Sequence, residues 1–177
     1  MCFGAASIVW QARPPTLADL TVAADHLPSG CALSPEPSVR PGAGPGLWAG
    51  LPANPWIGTD PVRIASIREL MNPPKLPDGP PLTAREATLF RIRLADDIVE
   101  GYEAVYARGE PPGPVTIVFA LRFPADGLAA ELWMRVTASR NPRAAFLIGP
   151  IVALVSGNDG ACFDAVAAHL QSLSNRR

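Results

Sequence analysis

The pattern that most constrains the fold lies in residues 115–173, where strand-like and helix-like runs alternate. Residues 115–123 form a short, apolar run rich in β-branched side chains, bounded by Pro114 and Pro124. Such a run between turn residues is typical of a buried strand. The sequence therefore predicts a strand in the interior at this point.

A helix is predicted directly after this strand. Leu128, Leu132 and Val136 recur at helical spacing among alanines. The pair Asn141-Pro142 predicts the end of the helix, because the residue before a proline avoids the α region.

A hairpin and a second helix complete the pattern. Two β-forming runs, residues 146–148 and 151–155, flank Gly149-Pro150, and a Gly/Pro pair between such runs predicts a tight hairpin. The loop at residues 156–160 supplies the N-cap of the last helix. The apolar stripe of this helix has i, i+3, i+4, i+7 spacing and consists of Phe163, Val166, Ala167, Leu170 and Leu173.

Residues 94–107 fit a helical stripe and also a strand rich in β-formers. We predict a strand, since Gly101 disfavours a helix by about 1 kcal/mol relative to alanine. This strand would pair antiparallel with residues 115–123 across the loop at residues 108–114. Strand alternation would give two faces, one with Ile98, Glu100, Tyr102, Ala104 and Tyr106 and the other with Val99, Gly101, Glu103 and Val105.

Together these elements predict an α+β fold with an antiparallel sheet of about four strands, in ββαββα order, and helices on one face. This core would span residues 83–177. The strand at residues 115–123 is apolar on both alternating faces, so its second face needs cover. That cover would come from the preceding part of the chain or from a second copy, which makes a homodimer through the sheet one expectation.

The preceding part, residues 16–82, is predicted to be a Pro/Gly-rich arm with short helices packed on the core. The chain contains 21 prolines and 15 glycines, and many of them fall between residues 14 and 81. Trp48 and Trp56 are predicted to anchor the arm on the core. Capping signals predict three short helices. Thr16 can cap a helix over residues 17–26, and Asp60-Pro61 can begin a helix that ends near residue 71. Thr83 and Glu86 form a capping box for a helix that ends near residue 94.

Residues 1–15 are either the remnant of an export signal or an N-terminal tail. They are apolar at the start and carry small residues before a plausible cleavage point, but they lack a basic segment. In an exported chain, Cys31 and Cys162 would form a disulfide that links the arm to the core. The alternatives are two buried thiols, or a reactive Cys162 at a helix N-terminus. We expect an extracytoplasmic location, periplasmic or secreted, with the cytoplasm as the alternative.

Composition and spacing argue against several kinds of partner. The 15 basic and 16 acidic residues give no expectation of binding to nucleic acid, and no stretch reaches transmembrane length. A zinc site using Cys162 and His169 is disfavoured, because these residues would stand about 10.5 Å apart along one helix. The sequence predicts no cofactor or metal site and assigns no catalytic residue.

Two functions remain open from the sequence. The first is a non-enzymatic extracytoplasmic binding or accessory domain for an unidentified small molecule or protein, favoured by the 18% charged content and the cysteine pair. The alternative is a small enzyme with its site in a cleft between arm and sheet. The candidate cleft residues are Tyr102, Tyr106 and His169, with an acidic cluster of Asp96, Asp97, Glu100 and Glu103 nearby.

Overall fold

The computed structural model describes residues 13–34, 55–71, 98–108, 114–139 and 144–176. The α+β class is confirmed, and the elements from β3 to α3 follow the predicted ββαββα order. In chain order the described elements are two 3-10 turns (Leu17–Leu20 and Ala24–His26), β1 (Cys31–Leu33), β2 (Trp56–Gly58), α1 (Pro61–Met71), β3 (Glu100–Arg108), β4 (Val115–Arg122), α2 (Asp126–Ser139), β5 (Ala145–Ile148), β6 (Ile151–Gly157) and α3 (Gly160–Ser174).

Within the described residues the sheet has six strands in the order β1-β3-β4-β6-β5, with β2 also paired to β3. Every pairing is antiparallel. The strand prediction for residues 94–107 is confirmed over the described residues by β3, which pairs with β4 as expected. The count differs from about four strands because β1 and β2, which belong to the predicted arm, lie end to end along β3.

Both faces of the sheet are covered, which corrects the prediction of helices on one face. From β4, Val118 and Ala120 join a core that includes the buried residues of α3, whereas Ile117, Phe119 and Leu121 join a core with α1 and α2. The cover on each side comes from the chain itself. The need for cover, from which a homodimer through the sheet was predicted, is met within one chain and no longer supports a dimer.

The helix starts follow their capping signals. The Asp60 carboxylate accepts hydrogen bonds from the Val62 and Arg63 amides at 2.8 and 3.3 Å, at the start of α1. Asp159 caps α3 by accepting from the Ala161 and Cys162 amides, each at 3.2 Å. The helix predicted from the capping box at residues 83–86 lies outside the described residues.

The predicted helix at residues 17–26 is instead two 3-10 turns separated by extended chain. Thr21 is extended, with φ −73° and ψ 123°. The amide of Val22 donates to the side chain of Tyr106 at 3.0 Å. This tertiary hydrogen bond uses the Val22 amide, which would have donated within a continuous helix. Thr21 and Val22 are both β-branched, and this further disfavours the helix.

The hairpin at Gly149-Pro150 is confirmed. Gly149 has φ +56°, and proline fixes the next φ near −65°, which is the sign pattern of a type II′ turn. The outer edge of β5 is also covered. The carbonyl of Ala145 accepts from Trp133 Nε1 at 3.3 Å and that of Leu147 accepts from Ser174 Oγ at 2.7 Å, so α2 and α3 occupy acceptors that an incoming strand would need.

A glycine substitution tests the junction between β4 and β6. Gly157 lies opposite Thr116, and a Cβ at Gly157 would overlap the carbonyl oxygen of Val115 and lie 2.7 Å from Thr116 Cα. We expect Gly157→Ala to lower the free energy of unfolding by about 1–3 kcal/mol, because the obstructing atoms are backbone.

The matched control for that substitution is Gly127→Ala in α2, where the added Cβ would have no described atom within 4 Å apart from its chain neighbours and the helix's own backbone. We expect Gly127→Ala to raise the free energy of unfolding by ~0.4–1 kcal/mol through the unfolded state. Urea unfolding of both variants measures the difference. Equal stability of the two variants would contradict the close approach at Gly157.

Candidate functional site

Residues 13–34, which we call the strap, cross the face of the sheet that α3 also covers. Leu17, Leu20 and Val22 are buried and belong to the same core as Val166 and Leu170 of α3. Each of these three strap residues is at most 4% exposed, so residues 17–22 of the strap are held by apolar burial. The strap and α3 together form the layer in which the candidate cleft residues lie.

Tyr102 and Tyr106 lie beneath the strap and are fully buried. The hydroxyl of Tyr102 is 3.1 Å from Thr21 Oγ1, and Tyr106 Oη accepts from the Val22 amide at 3.0 Å. Burial raises the pKa of both phenols, since the charged phenolate would be desolvated. Both side chains are therefore neutral hydrogen-bonding groups at physiological pH.

His169, on α3, contacts the same stretch of the strap. Its Nε2 lies 2.8 Å from the backbone oxygen of Asp19. The structure thus brings the three candidate cleft residues to one place, because all of them contact residues 19–22. Their polar atoms contact the strap itself, which is part of the predicted arm.

Cys31 and Cys162 lie at disulfide-bonding distance, with 5.9 Å between their Cα atoms. Cys31 begins β1 near the end of the strap, and Cys162 is in the first turn of α3. The predicted proximity of the two cysteines is confirmed. Both are buried, at 8% and 0% exposure, which is not the exposed setting of a reactive thiol.

An ion pair between a buried carboxylate and a partly exposed arginine lies at this corner of the fold. Arg108 lies opposite Cys31 in the β1–β3 register, and its Nε is 3.2 Å from Asp159 Oδ2. Asp159 is 6% exposed and also caps α3. Gly30, with φ +81°, provides the left-handed turn that leads into Cys31. One carboxylate therefore links β3 to the start of the helix that carries Cys162.

The acidic cluster separates in the structure. Glu100 pairs with Arg122 at 2.8 Å across the β3–β4 register. Glu103 is buried at 3% exposure and faces the layer of α1 and α2, away from the strap. Asp96 and Asp97 lie outside the described residues. Within the described residues, no three or more His, Cys, Asp or Glu side chains form a group that could hold a metal ion.

A groove opens where the strap begins and α3 ends. Its volume is about 380 Å³. Its lining residues are Arg13, Pro14, Pro15, Asp19, Leu173 and Arg176. Sequence reasoning missed this groove because its walls are remote in the chain, and no periodicity or motif marks either of them. This groove is a candidate ligand site.

Asp19 organises the strap side of the groove. Its Oδ2 accepts from the amide and the hydroxyl of Thr16, each at 2.7 Å, and lies 3.9 Å from an Arg13 nitrogen. The Thr16 hydrogen bonds, and to a smaller extent the charges of Arg13 and Arg176, lower the pKa of Asp19. The carboxylate is therefore ionised at neutral pH and turned towards the strap's own donors.

The chain matches no protein-family model, no curated protein and no solved structure. Within the described residues, no helix has both the length and the apolar character needed to cross a membrane.

The tyrosine contacts give a test of how the strap is held. In Tyr106→Phe the buried amide of Val22 loses its acceptor, and we expect the free energy of unfolding to fall by about 1–3 kcal/mol. Tyr102→Phe is the matched control. It should cost less, because the Thr21 hydroxyl is only partly buried and can turn to water. Chemical denaturation, with hydrogen exchange at the Val22 amide, measures both, and an equal or smaller loss in Tyr106→Phe would refute the assignment.

Proposed function

We propose that this chain is a non-enzymatic binding domain that works in an oxidising, extracytoplasmic compartment and binds a small molecule in the groove between strap and α3. The observation that carries the proposal is the groove of about 380 Å³, whose two walls are fixed to each other through a shared core. Small-molecule sites are mostly pre-formed clefts of ~300–1,000 Å³. The volume falls within that range, and the buried strap residues supply the rigidity.

The hydrogen bonds of the strap favour binding over catalysis. Tyr102, Tyr106 and His169 were the candidate cleft residues of the enzyme alternative, and each has a polar atom in contact with the strap. A general acid or base needs a pKa near the working pH and access to substrate. The raised pKa values of the tyrosines and their position under the strap support a structural role for them.

The cysteine pair supports the compartment. Disulfides persist in oxidising compartments and are rare in the cytosol. A bond between Cys31 and Cys162 would close a loop with a sequence separation of 131 residues. The chain-entropy estimate for so long a loop is about 4–5 kcal/mol of stabilisation. The bond would link the end of the strap to the first turn of α3, so it would hold the groove's two walls together from the opposite end of both elements.

Cysteine variants test the compartment. We expect Cys31→Ser and Cys162→Ser each to lower the free energy of unfolding by about 2–5 kcal/mol, and the double variant to be no less stable than either single one. Equilibrium unfolding without reductant measures the three variants. Intact mass with and without reductant and alkylation gives the direct observation. Complete alkylation of both thiols in the native, unreduced protein would remove the argument for an extracytoplasmic location.

Ligand mapping tests the binding function. Amide chemical shifts of the oxidised protein would be followed by NMR during titration with a set of anionic, cationic and neutral fragments. We expect saturable shifts at residues 13–19 and 173–176, and none at residues 114–116, which lie beside the first turn of α3 at the opposite end of that helix. Shifts confined to other regions, or none with any fragment, would refute the groove as a binding site.

A further inference from the structure

We infer that the groove takes a small organic monoanion, a carboxylate attached to a short apolar body. This inference rests on the proposed function and adds the chemical class of the ligand. It follows from the charges at the groove, from its apolar surfaces and from its size.

The side chains that line the groove carry one net positive charge. The ionisable side chains that line the groove are Arg13, Asp19 and Arg176, two cations and one anion. The Asp19 carboxylate already accepts both Thr16 donors and offsets one guanidinium. A ligand with a single negative charge would therefore neutralise the groove, whereas a cation would add to the excess.

Arginine also favours a carboxylate on geometric grounds. A guanidinium presents parallel N–H donors that match the two oxygens of a carboxylate, and such bidentate pairs are among the stronger hydrogen bonds. Arg13 is held loosely, since its nitrogen is 3.3 Å from Thr16 Oγ1 and 3.9 Å from Asp19 Oδ2, and its side chain is 74% exposed. Little is lost when Arg13 turns from these weak contacts to a ligand. Arg176 follows the end of α3 on the other side of the groove.

The rest of the lining is apolar. Pro14, Pro15 and Leu173 contribute side chains without hydrogen-bonding groups, and Leu173 is 5% exposed as part of the core. These residues suit a hydrocarbon body beside the charged head group. Octanoate has about ten heavy atoms, and at about 30 Å³ for each, the volume of one liquid water molecule, it would occupy about 300 Å³. The groove of about 380 Å³ can hold a molecule of this size.

The experiment compares octanoate with octylammonium, acetate and inorganic phosphate in NMR titrations of the oxidised protein. Octanoate tests the charge and the apolar body together. Octylammonium keeps the body and reverses the charge, acetate keeps the charge and removes the body, and phosphate tests for an anion site without apolar selectivity. We expect octanoate to bind at least about tenfold more tightly than each of the other three, a difference of about 1.4 kcal/mol. Its affinity should fall as salt is raised, because the arginines are exposed.

Two variants test whether a guanidinium of the groove binds the carboxylate of octanoate. Arg176→Gln removes one guanidinium from the groove and leaves a shorter, uncharged polar side chain, and we expect it to weaken octanoate binding by about tenfold. Arg135→Gln is the matched control, since it removes the same charge from α2 on the other face of the sheet and should leave octanoate binding unchanged. Unfolding curves of both variants would establish that the fold is intact.

The outcomes separate the two proposals. Equal binding of octylammonium or phosphate, or an Arg176→Gln variant that binds octanoate as the original protein does, would overturn the carboxylate assignment. If another fragment shifts residues 13–19 and 173–176 while octanoate does not, the ligand class is wrong and the binding function stands. If no fragment binds in the groove, both proposals fail.

Discussion

A strand that is apolar on both faces must be covered from both sides, and the rest of this structure depends on that requirement in β4. Val118 and Phe119 are adjacent in the chain, point to opposite sides and are both essentially inaccessible to water. The helices α2 and α3 follow β4 in the chain and take opposite faces. Because each helix covers only part of its face, α1 and the strap complete the layers, and these two described segments of the front half become part of the core.

Covering a face with irregular chain requires hydrogen-bond partners for backbone that has no helix or strand to satisfy it. The strap obtains such a partner from Tyr106, whose hydroxyl accepts from the Val22 amide inside the core. Asp159 solves the same problem at the start of α3, where it accepts two helix amides and pairs with Arg108. Polar side chains below the strap are thus a consequence of placing extended chain over an apolar sheet.

Local signals in the sequence predicted most of the elements whose structure depends on residues close together in the chain. The caps at Asp60 and Asp159, the Gly149-Pro150 hairpin and the alternation of Tyr102 and Tyr106 in β3 all depend on neighbours in the chain. Strands β1 and β2 were missed because three residues each are too few to show a period, and their pairing partner β3 is distant. The groove was missed for a related reason. Its walls come from residues 13–19 and 173–176, and no local pattern in the sequence shows that these two segments meet.

Leu173 lines the groove and is also part of the core. A ligand bound in the groove would therefore affect the stability of the fold. A ligand that binds the folded state alone stabilises it by RT ln(1 + [L]/Kd), and here it would contact the strap and α3 together. Arg13 and Asp19, which line the groove, belong to the same strap that hydrogen-bonds to Tyr102 and Tyr106. Tyr102 and Tyr106, which sequence reasoning placed among the candidate cleft residues, would therefore affect a bound ligand through the wall that they hold and not by direct contact.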